Sequence, residues 1–505
     1  LNDECVNIEQ DLYSINNKRD KYILTTLELS SSTVYINTEV LVLGSGPGGY
    51  TAAFRASDLG KKVVLVEQEK TLGGVCLNMG CIPTKSLLHA AKVITEAEEM
   101  AENGISFGAP VIDLERLREW KSKDVVTQLT TGLGNLAKQR QVTTIQGVGK
   151  FIAEHQLEVK SNDGIVTIVN FDYAIIAVGS HAIRIPGVAD DPRIMDSTEA
   201  LRLDDIPRRI LVIGGGVIGL EMGTVYDAFG SKVTVVQRSD SLVPGCDRDL
   251  IRPLQKRMGK RFEKIFLGTK VTKIVPKTDG IHVTFEGSTA IEPQIYDRVL
   301  MAVGRRPNGN NVGAELAGVC VDDQGFIKVD KKMRTNVAHI FAIGDVVGHP
   351  MLAHKASHEG KIAAEVIAGH EVEFKALTIP SVAYTNPEVA WAGVTEKEAK
   401  DQGIDIEKSS FPWVASGRAL SIDRTEGFTK LIFDRKTSKL IGAGIVGVNA
   451  GELLMETVVA MEAGFDAHSL GIIIHPHPTL SETVSYAAEM VTGSITDLYM
   501  RKATH

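Results

Sequence analysis

TEVLVLGSGPGGYTAAFRASDLGKKVVLVEQ, residues Thr38 to Gln68, runs from an apolar stretch through a glycine turn and a helical stretch into a second apolar run. The apolar runs are short and rich in Val and Leu, the pattern of strands buried on both faces of a parallel sheet. Between them Gly44, Gly46 and Gly49 form GxGxxG. The first glycine permits a tight turn, the second lets a pyrophosphate approach the backbone, and the third lets helix and strand pack closely. Glu67 ends the second run, about twenty residues on, where a carboxylate bonds ribose hydroxyls. A glycine triplet alone is unspecific. With strand, turn, helix and acid in register, the stretch reads as a dinucleotide-binding unit.

The pattern returns at RRILVIGGGVIGLEMGTVYDAFGSKVTVVQR, residues 208–238, with Gly214, Gly216 and Gly219. Two such units imply two dinucleotides, one able to pass hydride to the other. In the second unit the ribose position is Gln237, followed by Arg238. Without the carboxylate, the repulsion that excludes a 2′-phosphate is gone. Three shorter segments complete the pattern. FDYAIIAVGS places Gly179, and YDRVLMAVGRRPNG places Gly304, at the ends of buried strands that return the chain between domains. IFAIGDVVG sets Asp345 behind a strand and a glycine, where it can bond a polyol chain or cap the following helix.

GGVCLNMGCIPTK, residues 73–85, holds Cys76 and Cys81. A regular helix would set Cα atoms at this spacing roughly 8–9 Å apart, beyond the limit of about 7 Å for a disulfide. The pair can bond only across an irregular turn, for which Asn78 and Gly80 are suited. Pro83 fits the first turn of the amphipathic helix that follows. A strained disulfide at a helix N-terminus is reducible, and its thiolate is stabilised by the helix dipole. The company of two dinucleotide units turns an otherwise common cysteine spacing into a redox pair. Near the other end, IIIHPHPTLSE supplies His477 with Glu482 five residues on. Thiol–disulfide exchange needs a base because only a thiolate attacks, and a carboxylate fixes the tautomer of a histidine base. His475 reads as structural. Lys85, one turn beyond the cysteines, and Glu221, on the helix after the second glycine turn, are expected to pair.

The chain has 505 residues, enough for about two to four domains. A net charge of −8 argues against general nucleic-acid binding and docking to anionic membranes, and no apolar run is long enough to span a bilayer. Five cysteines fit a reducing compartment and a cytoplasmic location. Cys5, Cys246 and Cys320 receive no role. The first thirty-six residues lack the marks of a secretory or transit leader and read as a loosely ordered extension.

Taken together, GGVCLNMGCIPTK, the two GxGxxG units, FAIGD and HPHPTLSE resemble the pyridine nucleotide–disulfide oxidoreductases, from about Thr38 to about Asp497. The resemblance is greatest to members that oxidise dihydrolipoamide within 2-oxo acid dehydrogenase complexes. It implies an α/β fold with two Rossmann-like dinucleotide-binding domains and a C-terminal α+β dimerisation domain. The expected parts are an FAD domain at 37–180, an NAD domain at 181–303, a central domain at 304–376 completing the FAD site, and an interface domain at 377–505. It further implies FAD at Gly44, Gly46, Gly49, Glu67, Lys85, Gly179 and Asp345, and NAD at Gly214, Gly216, Gly219, Glu221, Gln237, Arg238 and Gly304. Cys76 would exchange with substrate, Cys81 would face the flavin, and His477 with Glu482 would act from the partner of a homodimer. A lipoyl-bearing acyltransferase core is the implied partner.

Relatives with other substrates differ in detail. Mercuric reductases carry a C-terminal cysteine pair that the tail VTGSITDLYMRKATH lacks, and the family's transhydrogenases lack the redox cysteines. A glutathione reductase-like member would carry two arginines for a 2′-phosphate. Arg238 matches the first, while Pro244 stands at the second. A related disulfide reductase, or a flavoprotein that kept the fold and lost the activity, is the alternative reading.

Overall fold

The computed structural model describes residues 33–287 and 290–499. Three of five sheets organise them. In the first, strand β1 (Thr33–Leu43), helix α1 (Pro47–Asp58) and strand β2 (Val63–Glu67) follow one another as the glycine pattern requires. β1 and β2 are parallel, and Val40, Leu41, Val42, Val64 and Leu65 have no exposed surface. Helices α2 (Gly74–Met79) and α3 (Cys81–Glu99) come next. The sheet runs in the order Thr143–Gln146, β2, β1, Val166–Ile176, Gln156–Lys160, Val148–Ala153, with Ile340–Ala342 also pairing Val166–Ile176.

β1 begins earlier than the sequence indicates. Thr33 through Asn37 pair in register with Val166 through Asn170, so residues 33–36 belong to the sheet and not to the extension. Their side chains are mostly exposed although Val34, Tyr35 and Ile36 are apolar or aromatic. Residues 1–32 of the expected extension, with Cys5, lie outside the described residues.

The second sheet repeats the architecture. It is wholly parallel, in the order Lys264–Phe266, Lys232–Val236, Arg209–Ile213, Arg298–Met301, Ile194–Met195. The helix Val217–Ala228 starts directly from Gly216. The third sheet is antiparallel, with strands Ser381–Ala383, Glu388–Gly393, Leu440–Gly447, Phe428–Asp434 and Ile406–Pro412 in that order. Helices Ala450–Glu462 and Glu482–Thr492 cover it over a core that includes Trp413, Phe411 and Leu454. A mixed sheet with a parallel core, a wholly parallel sheet, both with crossover helices, and an antiparallel sheet with helices make the fold α/β with a C-terminal α+β part.

The stretch between the second and third sheets builds onto the first. Ile340–Ala342 adds a parallel strand to it, and the helix Ala353–Ile367 lies against α1. A Cβ at Gly360 would come within 2.6 Å of the Gly48 carbonyl oxygen, so the two helices meet at backbone distance. That packing brings Asp345 to the ends of the strands that carry Gly44 and Gly179.

Candidate active site

The two glycine turns are alike. Gly44 has φ +99° and Gly214 φ +114°, and a Cβ there would lie 2.4 Å from Ala177 O and 2.2 Å from Ala302 O respectively. At Gly49 and Gly219 a Cβ would meet the carbonyl oxygen of Gly44 or Gly214 at 1.9 and 2.1 Å. No side chain fits any of these four positions. Gly46 and Gly216 differ: nothing lies within 4 Å of a Cβ built on either. Each heads a helix, so backbone N–H groups converge there on open space that a side chain would fill. Such a cradle fits the pyrophosphate of a dinucleotide.

Each turn is pinned by the residue at the end of the next strand. Glu67 is buried, and its Oε2 accepts from Ser45 N at 2.9 Å and Ser45 Oγ at 2.6 Å. Its Oε1 accepts from Glu69 N at 3.0 Å. Gln237 Oε1 accepts from Gly215 N at 2.9 Å, while its Nε2 donates to Ser239 Oγ at 2.6 Å. Arg238 is exposed, and no carboxylate among the described residues pairs with it.

Gly179 (φ +62°) and Gly304 (φ +127°) end the strand regions expected of them. Asp345 does not cap its short 3₁₀ turn. Its Oδ2 accepts from Ser180 Oγ at 2.5 Å, and Arg305 donates to Ser180 Oγ at 2.7 Å and Ser180 O at 2.6 Å. Ahead of it, buried Glu359 accepts from Gly344 N at 2.7 Å and pairs with buried Lys355 at 2.9 Å.

Cys76 lies within α2 and Cys81 opens α3, both as free thiols. The irregularity that lets them meet is at Gly80 alone, with φ −146° and ψ −113°. Asn78, expected to share it, is helical instead. Its amide donates to Leu72 O at 3.3 Å and Gly74 O at 3.0 Å, tying α2 to the loop before it. The two thiols hydrogen-bond, and this contact divides their acidities. Cys81 is brought down to about 7, first by the hydrogen bond from Cys76 and then by the charge of Lys85, against burial and the charge of Glu221. Cys81 keeps access to solvent, yet enough protein surrounds it for burial to oppose the thiolate. Cys76 moves strongly upward, through the same hydrogen bond and then burial.

Lys85 and Glu221 pair, as their placement on the two helices suggested. Lys85 Nζ lies 3.1 Å from both carboxylate oxygens of buried Glu221. Tyr384 completes the contact: its N–H donates to Glu221 Oε1 at 3.0 Å, and its ring lies 4.5 Å from Lys85 Nζ. One carboxylate thus joins elements from all three sheets.

His477 and Glu482 also meet. His477 Nδ1 donates to Glu482 Oε1 at 2.8 Å, leaving Nε2 with its lone pair. Thr479 N donates to Oε2 at 2.7 Å and the Tyr486 hydroxyl to Oε1 at 3.1 Å. Burial alone would raise the Glu482 pKa, but these three donors outweigh it and hold the carboxyl below its usual range. The imidazole itself is 75% exposed, and no hydrogen bond among the described residues links it to Cys76 or Cys81. His475 is buried instead, with Nδ1 on Ile473 O at 2.8 Å and Nε2 on Glu456 at 2.6 Å, so neither nitrogen is free to act as a base. Ser180, Arg305, Tyr384, Thr479 and Tyr486 were not singled out from sequence. None stands in a motif, and only folding brings each to its partner.

Comparison with known proteins agrees with this arrangement. The pyridine nucleotide-disulphide oxidoreductase family matches residues 38–360, and the dimerisation domain of that family matches 379–488. Dihydrolipoyl dehydrogenase of Vibrio parahaemolyticus is 55% identical over 93% of this chain and 98% of its own. The Haemophilus influenzae protein of the same name is 54% identical over 93% and 98%, and that of Bacillus subtilis 42% over 91% and 97%. Among solved structures, LpdA of Mycobacterium tuberculosis superposes with a TM-score of 0.83 at 25% identity, over 90% of this chain and 99% of that one. The HOCl-induced flavoprotein disulfide reductase RclA of Escherichia coli reaches 0.79 at 28% identity, over 90% and 100%. The fold is therefore shared with disulfide reductases of other kinds, while identity over nearly the whole length selects one group. The chain belongs to the pyridine nucleotide-disulphide oxidoreductases and, among them, to the dihydrolipoyl dehydrogenases.

Proposed function

We propose that this chain oxidises protein-bound dihydrolipoamide to lipoamide through Cys76 and Cys81 and delivers the electrons to NAD⁺. The observation that carries the reading is the placement of the cysteine pair, Cys76 in α2 and Cys81 opening α3, with Lys85 one turn further on and paired to Glu221. FAD and NAD are the cofactors of this group. The FAD site in this reading comprises Gly44, Gly46, Gly49, Glu67, Lys85, Gly179 and Asp345. The NAD site comprises Gly214, Gly216, Gly219, Glu221, Gln237, Arg238 and Gly304.

The exchange starts from the Cys76–Cys81 disulfide. His477 Nε2 takes a proton from one substrate thiol, and the resulting thiolate attacks Cys76 Sγ. The bond between the cysteines breaks, and Cys81 leaves as a thiolate stabilised by Lys85 and the start of α3. The second substrate thiol then attacks the mixed disulfide, closing the substrate's ring; Cys76 departs and takes the first proton from His477, which receives the second thiol's proton in turn and ends as the imidazolium beside the Cys81 thiolate. Two electrons have moved from substrate dithiol to the cysteine pair. Bound FAD supplies the acceptor that carries these electrons onward to NAD⁺ as hydride. Glu482 holds the imidazole in the tautomer with Nε2 free and stabilises the imidazolium.

We place the histidine across a homodimer, acting on the partner's cysteine pair. Two features support this. His477 stands exposed and makes no bond to the thiols of its own chain. Beside it Ile472, Ile473, Ile474, Met455 and Val459 present large apolar side chains to solvent, with Ile474 95% exposed. A contiguous apolar face of this kind marks an interaction surface. The lipoyl group would arrive on an acyltransferase core in the cytoplasm. The domain divisions at 37–180, 181–303, 304–376 and 377–505 belong to the same reading.

Replacing the base tests it. General base catalysis contributes about 10²–10⁴-fold, so His477→Ala should lose that much in dihydrolipoamide turnover. Transfer from NADH to an artificial acceptor needs no thiol proton and should largely survive. Equal loss of both activities would reject the assignment.

A further inference from the structure

Two groups of potential metal ligands come together among the described residues. Asp247, Asp249 and Glu396 already surround an ammonium: Lys430 Nζ lies 2.8, 2.8 and 3.0 Å from them and is 1% exposed. That charge is satisfied. The other group, Glu154, His155 and His339, surrounds no cation. We propose that Glu154, His155 and His339 form a surface site for one borderline transition-metal cation of the zinc type.

The geometry supplies what such a cation needs. One ligand atom from each residue lies within 4.8 Å of the other two. The imidazoles stack with centroids 4.0 Å apart and an interplanar angle of 13°, so one ring must turn for both in-plane lone pairs to meet a single cation. Tetrahedral zinc with bonds of about 2.0–2.2 Å sets its ligands roughly 3.3 Å apart, so rotation of the exposed Glu154 and His155 side chains towards the half-buried His339 is needed to close the set. Two histidines and a glutamate are also a ligand set that zinc takes in proteins.

Each histidine has one nitrogen engaged and one spare. His155 Nδ1 donates to Phe171 O at 2.9 Å, and His339 Nε2 donates to Glu154 O at 3.1 Å. The lone pairs of His155 Nε2 and His339 Nδ1 are left without a hydrogen. A histidine ligand that gives its other N–H to a backbone carbonyl has its tautomer fixed before the metal arrives. The backbone is fixed as well. His155 O accepts from Phe171 N at 3.2 Å and His339 O from Ala174 N at 3.0 Å, so both residues hang from the buried strand Val166–Ile176. Nothing in the redox chemistry uses any of the three. A bound cation would join the turn at Glu154–His155 to the start of Ile340–Ala342, and so clip together chain positions far apart in sequence.

The test is calorimetric titration of ZnCl₂ into untagged holoenzyme with the Cys76–Cys81 disulfide oxidised, so that those thiols do not compete. One equivalent is expected to bind with micromolar affinity and to raise Tm with zinc concentration. The double variant His155→Gln/His339→Gln should lose at least tenfold in affinity and most of the Tm shift, with lipoamide turnover unchanged. Glu154→Gln keeps both histidines and their carbonyl bonds, and should weaken zinc by several-fold. Absence of saturable binding, or unchanged affinity in the double variant, would overturn the site. Unchanged affinity in Glu154→Gln would remove the carboxylate from it.

Discussion

The turn at Gly44–Gly49 and the turn at Gly214–Gly219 have the same backbone and different partners. Both carry a left-handed first glycine, a second glycine open to solvent and a third pressed against a carbonyl. Both have a residue at or just past the end of the next strand accepting from the N–H just after the first glycine, at 2.9 Å in each case. In the first turn that residue is a carboxylate, in the second an amide. A carbonyl oxygen suffices to pin the turn, so the structural duty survives the change. The electrostatic duty does not, because an amide repels no phosphate. The amide also brings a donor, and Ser239 supplies the acceptor for it.

If the turns are independent copies, filling the third glycine should disable one cofactor at a time. Gly49→Ala should yield protein with little visible flavin absorbance and no activity in any assay. Gly219→Ala should keep the flavin and lose nicotinamide binding. Overpacking costs about 1–3 kcal/mol, which corresponds to roughly a 5- to 150-fold rise in KM for NAD⁺. Loss of flavin from Gly219→Ala would show that the two units fold as one.

A smaller effect probes where the units touch. Glu221 belongs to the second unit, and its charge raises the pKa of Cys81 in the first, while Lys85 lowers it. Alkylation of the reduced enzyme by iodoacetamide should follow the Cys81 thiolate with a midpoint near pH 7. Lys85→Met should move that midpoint up by about one unit or more, and Glu221→Gln should move it down. A midpoint unmoved by both would mean that the helix start and Cys76 set the acidity without either charge.

The smallest effect is at Gln237. An exposed charge contact is worth about 1 kcal/mol or less, under tenfold. The unmodified enzyme should prefer NAD⁺ yet accept NADP⁺ measurably, and Gln237→Glu should sharpen the preference by less than tenfold in the kcat/KM ratio. A larger kcat/KM for NADP⁺ than for NAD⁺ in the unmodified enzyme would reverse the assignment of acceptor.

The legible parts of this molecule are those whose causes are local. A glycine turn is dictated by the atoms of a few neighbouring residues, so Gly44 and Gly214 announce themselves. His477 and Glu482 lie on one turn, and their meeting needs no distant element. The Ser180–Arg305–Asp345 contact and the Tyr384 cover on Lys85 depend on strands and helices hundreds of residues apart, and nothing in a linear pattern marks them. Asn78 shows the opposite: a residue that tolerates irregular backbone stays helical here, because Gly80 alone is enough. Thr33–Ile36 pair in a sheet with their side chains mostly in solvent, although Thr, Val, Tyr and Ile all favour strands, so the boundary drawn at residue 37 cuts through a strand.

The shared carboxylate of Glu221 has a mechanical consequence. It is 3% exposed and held by Lys85 beside the redox pair and by Tyr384 beside the antiparallel sheet. Lys430 makes a second weld, joining the third sheet to Asp247 and Asp249 at the head of the helix Arg248–Arg261. Rotating one lobe away from another would strand a buried charge, which costs about 3–5 kcal/mol for each broken pair. The lobes therefore melt together: scanning calorimetry of the holoenzyme should give one endotherm, and Glu221→Ala should split it. Such a body does not open and shut around its substrate, so in the proposed reaction the dithiol must itself travel to the cysteines.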